Sequence, residues 1–141
     1  MLNSALARLP LTTNLSDVSN SLNIEEIRDH CLVKPGVTEG LPFGEDTLVF
    51  KVGGKIFLLI SITDSTHFNV KCDPERAVEL RERYSEVQPG YHMNKKHWNT
   101  ITTEGALTRR QLADMIDHSY DLVLASLPKN IREEIEGNKS A

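Results

Sequence analysis

The sequence is short of cysteine, of tryptophan and of long apolar runs, and each shortage excludes a class of protein. The longest apolar run, Ile56–Ile60, has the length of a β-strand, whereas a membrane-spanning helix needs about 20 apolar residues. Met1–Pro10 has no continuous apolar stretch, so we expect no secretory signal. The two cysteines, Cys31 and Cys72, form no Cys-X-X-Cys motif and are predicted to be reduced thiols. We therefore expect a cytoplasmic protein without a membrane segment.

Positive charge is scarce as well. The 141 residues contain 16 Lys and Arg against 20 Asp and Glu, which gives a net charge of −4. This balance excludes a strongly basic nucleic-acid binder that relies on its overall charge, but it allows a local basic face. The hydrophobic fraction of 39% and the charged fraction of 26% are typical of a folded soluble domain.

The composition divides the chain into three parts. Residues 1–21 include a stretch rich in Ser, Asn and Asp and are predicted to form a mobile leader. Residues 22–129 have a dense, regular apolar pattern that indicates one domain. Residues 130–141 are polar and are predicted to form a frayed C-terminal tail.

Within residues 22–129 the pattern predicts three helices and four strands. Asn23, Asp73 and Thr108 have the character of helix N-caps, each just before an apolar stripe with helical spacing. The strands are predicted over Thr47–Val52, Lys55–Ser61, His67–Cys72 and Trp98–Thr103. The order α-β-β-β-α-β-α favours a two-layer α+β fold, in which an antiparallel sheet carries the helices on one face.

Gly53-Gly54 predicts a two-residue turn between the first two strands, because a type I′ turn needs positive φ at both positions. The pairing that continues from this turn sets Phe50 opposite Phe57. It leaves a second apolar face, which consists of Val49, Ile56, Leu58 and Ile60. Either another part of the chain covers this face, or it is a surface for a protein partner or a homodimer.

No arrangement of catalytic residues is evident in the sequence. It has no glycine-rich phosphate loop and no G-x-S-x-G motif. His92 and His97 have no further Cys or His at metal-ligand spacing. Asp117–Asp121 holds the residue types of a hydrolase triad, but consecutive helical positions cannot converge on one substrate atom. We expect a non-enzymatic protein with no catalytic residues, no metal and no cofactor.

The segment Pro89–Thr100 is the most informative for function. Lysines neutralise phosphate groups, and Tyr and Trp stack on bases, so the segment is a candidate nucleic-acid-binding loop. The candidate residues are Tyr91, His92, Asn94, Lys95, Lys96, His97 and Trp98. The alternative makes the lysines solubilising charges and Trp98 an anchor of the core, and for Trp98 we favour the core role.

Arg109 and Arg110 extend this hypothesis. Both lie in the first turn of the third predicted helix, where a positive charge opposes the helix dipole. Two cations at that position make sense if an anion binds at the same helix end. We therefore count both arginines among the candidate nucleic-acid-binding residues.

Several motifs together resemble the MmcQ/YjbR family. They are Leu41-Pro-Phe-Gly44, Lys71-Cys-Asp-Pro-Glu75, the block from Gly90 to Trp98, and Asp117-His-Ser-Tyr-Asp121. The block from Gly90 to Trp98 is the most specific of them, and the likeness extends over residues 22–129. The resemblance implies a small bacterial α+β domain, similar to bacterial frataxin and to secretion chaperones, that binds DNA and has no catalytic residues.

Two functions therefore stay open. The first is weak binding of DNA through the basic loop and the two arginines. The alternative is a protein-interaction or chaperone-like role for the second face of the hairpin. Salt distinguishes them, because phosphate contacts release counterions on binding and apolar contacts do not.

Overall fold

The computed structural model describes residues 21–90 and 93–140. Its strands are β1 (Val37–Gly40), β2 (Thr47–Val52), β3 (Lys55–Ser61), β4 (His67–Lys71), β5 (Val87–Pro89) and β6 (Trp98–Thr102). Its helices are α1 (Ile24–Leu32), α2 (Pro74–Arg83), α3 (Arg109–Ala125) and α4 (Lys129–Ser140). In these ranges no helix is both long and apolar enough to cross a membrane.

All six strands pair antiparallel in one sheet with the order β1-β2-β3-β4-β6-β5. The helices pack against the sheet face that contains Phe50, Leu58, Phe68 and Ile101, and these side chains are fully buried. The predicted α+β class with an antiparallel sheet is confirmed. The N-caps at Asn23, Asp73 and Thr108 are confirmed too, because each side chain accepts a backbone N–H of the first helical turn.

Strands β1 and β5 extend the predicted sheet at its two edges. Strand β1 has no alternating burial, since only Val37 of its four residues is partly buried. Strand β5 has three residues, one of which is Pro89. Segments this short have little periodicity, so the sequence pattern does not detect them.

The C-terminal segment is a helix rather than the frayed tail that its polarity predicts. Ile131 and Ile135, four residues apart, lie on one side of α4, and Ile135 belongs to the hydrophobic core. Ile135 fits against Gly36, whose φ is +75° and where a Cβ atom would lie 3.1 Å from the isoleucine side chain. Two isoleucines among polar residues are too weak a signal to predict the helix. The predicted leader lies outside the described residues except for Ser21.

The hairpin register differs from the prediction beyond its turn. Gly53 and Gly54 have φ of +58° and +83°, as the predicted turn requires, and Val52 pairs with Lys55. A β-bulge then inserts Phe57 as an extra residue, so that Phe50 pairs with Leu58 instead of Phe57. Because a shift of one residue exchanges the faces of a strand, everything after the bulge changes sides.

The second face of the hairpin is consequently smaller than predicted. Leu58 and Ile60, which were expected on it, are buried in the core with exposures of 0% and 1%. Val49 and Ile56 do lie on the outer face, where Leu59 joins them opposite Val49. Val49 is only 1% exposed, so of the four residues predicted as an interaction surface only Ile56 is on the outer face and partly exposed.

The carbonyl of the bulged Phe57 is held by a side chain of α3. The β3–β4 ladder ends at the pair Leu58 and Val70. Beyond it, the fully buried hydroxyl of Ser119 donates to the Phe57 carbonyl at 2.6 Å and accepts the Lys71 backbone N–H at 2.8 Å. One hydroxyl thus connects α3 to two strands where their own pairing stops.

Substitution by aspartate at adjacent positions tests the bulged register. Leu58→Asp is expected to destabilise the fold by about 3–5 kcal/mol or more, because it buries an unpaired carboxylate. Leu59→Asp lies on the outer face and is expected to cost about 1 kcal/mol. Urea unfolding of both variants measures the difference, and a larger loss for Leu59→Asp would support the register without the bulge.

Ser119→Ala tests the bridge between α3 and the bulge. It leaves the buried Phe57 carbonyl and Lys71 N–H without a partner, so we expect a loss of about 1–3 kcal/mol of unfolding free energy. Ser126→Ala is the control, because its exposed hydroxyl donates only to the Val123 carbonyl of its own helix. Denaturant unfolding that gave equal losses for both variants would contradict the role of Ser119.

Candidate nucleic-acid interface

The basic loop between β5 and β6 is ordered around Asn94. The Asn94 side-chain oxygen accepts the Lys96 N–H at 2.9 Å, and its carbonyl accepts the N–H groups of His97 and Trp98 at 3.1 and 3.0 Å. Asn94, Lys95 and Lys96 are exposed, and His97 is half-buried. Tyr91 and His92 lie outside the described residues, so their roles stay predictions.

The ends of this loop are fastened to the sheet. The His97 carbonyl accepts the N–H of Cys72 at 2.7 Å, and the Trp98 carbonyl accepts the N–H of Gly90 at 2.8 Å. A Cβ atom at residue 90 would lie 2.8 Å from the Trp98 Cβ, so the close approach of the two chain segments requires glycine. The two lysines therefore project from a constrained turn.

Arg81 of α2 is the side chain that holds the loop from the helix layer. Its Nε donates to the side-chain oxygen of Asn99 at 2.7 Å, and its Nη2 donates to the carbonyls of Trp98, at 3.2 Å, and Lys95. All three acceptors are neutral, so these bonds fix the guanidinium without cancelling its charge. The sequence has no signal for this role, because α2 and the loop meet only in the folded chain.

Five cationic side chains gather at this end of the sheet, and we call them the basic corner. They are Lys71, Arg76, Arg81, Lys95 and Lys96. None of the five forms an ion pair with a carboxylate among the residues described, whereas Arg28, Lys34 and Arg109 each do. The corner therefore holds five cations without carboxylate partners in a protein of net charge −4.

Arg109 and Arg110 do not join the basic corner. Arg109 pairs with the Glu26 carboxylate and donates to the Ser21 carbonyl at 2.7 Å, so the chain itself supplies the anion at this helix end. Arg110 is exposed, but it is far from the corner along α3. Ser119 is the residue of α3 that contacts Lys71, and Arg110 lies nine residues before it, or about 13 Å of helix. The structure thus separates the two arginines from the loop with which they were grouped.

Trp98 lies outside the hydrophobic core, so the core role that we favoured for it is wrong. The alternation along β6 turns Asn99 and Ile101 toward the helices and Trp98 and Thr100 toward the outer face. Trp98 is half-buried and absent from the core cluster. Across the ladder it pairs with Lys71, so an indole and an ammonium-bearing side chain are neighbours on the outer face.

The two cysteines are poorly suited to nucleophilic chemistry. Burial raises the pKa of the Cys31 thiol to about 12. Burial also raises the pKa of Cys72, although Arg76 and Arg81 act in the opposite direction. Because the thiolate is the reactive form, burial disfavours the reactive state of both groups.

The motif from Asp117 to Tyr120 joins α3 to its neighbours rather than forming a reactive site. Asp117 contacts His30 at 2.7 Å and also pairs with Lys34, both near the end of α1. His118 accepts the backbone N–H of Asp73 at 3.2 Å, and the Tyr120 hydroxyl donates to the Pro35 carbonyl at 2.6 Å. Consecutive side chains thus diverge to different elements, as their helical spacing requires.

The fold and this corner define a class: a small α+β protein with an open six-stranded antiparallel sheet, helices on its inner face and a basic corner at one end. The family model named YjbR matches residues 32–122, which is more than half of the chain. The chain belongs to the YjbR family, and the resemblance drawn from its motifs is confirmed.

Relatives of known sequence agree with this assignment. The chain is 39% identical over 95 residues to the uncharacterized protein YbdF of Escherichia coli O157:H7, covering 67% of this chain and 78% of that protein. It is 29% identical over 113 residues to the uncharacterized protein YjbR of Escherichia coli K12, covering 79% and 96% of the two chains.

Solved structures agree with the fold. A Deinococcus radiodurans protein with a domain described as DUF419 matches with a TM-score of 0.78 and 35% identity, over 84% of this chain and 91% of that one. A Pseudomonas syringae protein matches with a TM-score of 0.61 and 26% identity, over 72% and 99% of the two chains. The open antiparallel sheet is thus common to this chain and its relatives.

The pH dependence of stability tests the contact between His118 and Asp73. Burial, together with repulsion from Arg76, lowers the pKa of His118 below its ordinary value of 6.5. The folded state therefore binds this proton less readily than the unfolded state, and stability falls as the pH drops below about 6.5. Gln carries no titrating group, so His118→Gln is expected to reduce the decline in Tm between about pH 7.5 and about pH 5. Identical profiles for both proteins would contradict the prediction.

Proposed function

We propose that this protein binds nucleic acid through the basic corner and is a binding protein rather than an enzyme. The observation that carries the proposal is the bonding of Arg81. Its guanidinium spans neutral oxygens of the Lys95 and Trp98 backbone and of Asn99, so it orders the loop while keeping its charge. A constrained cluster of unpaired cations is suited to phosphate groups, because less side-chain and loop entropy is lost on binding.

The composition of the corner supports phosphate contacts more than a purely solubilising role. Lys95 and Lys96 are adjacent in the loop, and none of the five cations has an ion-pair partner in the described part of the chain. Arg28 of α1 and Arg109 of α3, in contrast, are paired with carboxylates. DNA is the polymer that the family resemblance implies, and weak binding fits the overall charge of −4.

A protein partner is the second candidate function, and exposed apolar side chains favour it. Leu41 and Phe43, between β1 and β2, are 48% and 65% exposed. Leu41 lines a surface pocket together with Val49 of the outer face, whose side chain is 1% exposed. A contact there would be insensitive to salt, unlike a contact at the basic corner.

Charge reversal in the loop tests the proposed function. Lys95→Glu with Lys96→Glu is expected to weaken DNA binding strongly. It should also reduce the salt slope, which is the steepness with which the logarithm of the binding constant falls with the logarithm of the salt concentration, by about two, one for each lost phosphate contact. Stability should change by about 0.5 kcal/mol or less, since both side chains are exposed. Fluorescence anisotropy with labelled DNA over a salt series measures both quantities.

Arg83→Glu with Arg110→Glu is the matched control. It makes the same change in net charge with two exposed arginines, near the C-terminal end of α2 and the N-terminal end of α3. We expect it to preserve the salt slope. Equal losses of affinity from both double variants would exclude the basic corner as the specific site, and no binding by the unmodified protein at low salt would exclude the function.

A further inference from the structure

We propose that the nucleic acid bound by this protein is single-stranded and lies across the outer face of β4 and β6, with a base stacked on Trp98. This inference rests on the proposed function and adds the conformation of the ligand. It follows from three features of the structure: the polar outer face, the side chain at its end, and the position of the loop lysines.

The outer face of β4 and β6 is polar, and Asn69, Lys71 and Trp98 on it are half-buried. The two strands pair Lys71 with Trp98 and Asn69 with Thr100. The helices of the described chain pack on the opposite face, where Phe68 and Ile101 are buried. The Thr100 hydroxyl donates to the Asn69 side-chain oxygen at 2.5 Å, which orders the middle of the face. Thr100 itself is only 8% exposed, so Asn69 and Lys71 are the polar side chains of this face that an unpaired base can contact.

Trp98 is positioned as a stacking platform. It is the only tryptophan in the chain, and it lies on the outer face rather than in the core. Its backbone is held by three hydrogen bonds, because its carbonyl accepts the N–H of Gly90 and a bond from Arg81 and its own N–H donates to the Asn94 carbonyl. Aromatic side chains beside cations on an open sheet are the usual means of binding bases without regard to sequence.

The arrangement of the cations favours a single strand over a duplex. Sequence-specific reading of duplex DNA in the major groove uses an inserted helix or two-stranded ribbon. Here Arg81, on the nearest helix, is folded back onto the loop and engaged with its carbonyls. Lys95 and Lys96 lie in the turn that leads into Trp98, so a phosphate bound near them places the adjoining base close to the indole. Positive charge beside an aromatic platform complements a single phosphate backbone with splayed bases.

A comparison of the affinities for single-stranded and duplex DNA tests the inference. Labelled oligo-dT of about 12 nucleotides and a duplex of the same length are titrated by anisotropy, and emission from the single tryptophan is followed with unlabelled oligo-dT. We expect the single strand to bind at least about tenfold more tightly, with quenching of Trp98 emission. Trp98→Ala should weaken binding of the single strand roughly 5- to 150-fold, equivalent to about 1–3 kcal/mol per stacked base.

Two further variants separate stacking from general effects. Trp98→Phe keeps an aromatic ring and should retain more affinity than Trp98→Ala. Phe43→Ala removes an aromatic side chain that is 65% exposed outside this face, and it should bind like the unmodified protein. The quenching measurement uses the unmodified protein, so it remains informative even if Trp98→Ala does not fold.

The other possible results contradict either the inference alone or the proposed function as well. Binding of duplex as tightly as single strand, or binding of oligo-dT without quenching, overturns the inference and leaves the proposed function intact. Equal binding by Trp98→Ala and the unmodified protein also overturns it. Absence of binding to either form at low salt overturns both the inference and the proposed function.

Discussion

The hydroxyl of Ser119 is the contact on which the arrangement of this fold depends. Buried between α3 and the sheet, it donates to the carbonyl of the bulged Phe57 and accepts the N–H of Lys71. Both backbone groups lie just beyond the β3–β4 ladder and would otherwise be unpaired in the interior. The bulge in turn decides which residues of β3 enter the core, so one side chain links the helix position to the strand register.

The neighbours of Ser119 extend this connection in other directions. Asp117 reaches the end of α1, His118 reaches the start of α2, and Tyr120 reaches the turn before β1. The Lys34 ammonium also lies 5.4 Å from the Tyr120 ring centroid, which adds a cation–π contact at the same junction. A motif that has the residue types of a catalytic site is therefore explained by the packing of α3.

The charge distribution follows from the same packing. Where α1 meets α3, cations are neutralised by carboxylates, as in the pairs of Arg109 with Glu26 and of Lys34 with Asp117. On α2 the partner of Arg81 is a set of neutral oxygens instead. An acidic protein thus keeps cations without carboxylate partners at one end of its sheet. That contrast, rather than the net charge, is what makes nucleic-acid binding physically reasonable for this chain.

The sequence by itself determined the features that depend on neighbouring residues. The N-caps at Asn23 and Thr108 and the Gly53-Gly54 turn involve contacts within a few positions, so local pattern predicted them correctly. The α+β class followed from the order of these local elements. The motifs were specific enough to indicate the family as well.

Only the tertiary structure decided the register of β3, the helical state of the C-terminal segment and the composition of the basic corner. The bulge at Phe57 is stabilised by Ser119, which lies 62 positions away in the chain, and α4 depends on burial of Ile135 against Gly36. Trp98 was misassigned because hydrophobicity suggests burial, whereas strand alternation turned Asn99 inward, where Arg81 satisfies its side-chain oxygen. These outcomes rest on hydrogen bonds and packing between distant segments, and a local pattern contains no information about which distant groups will meet.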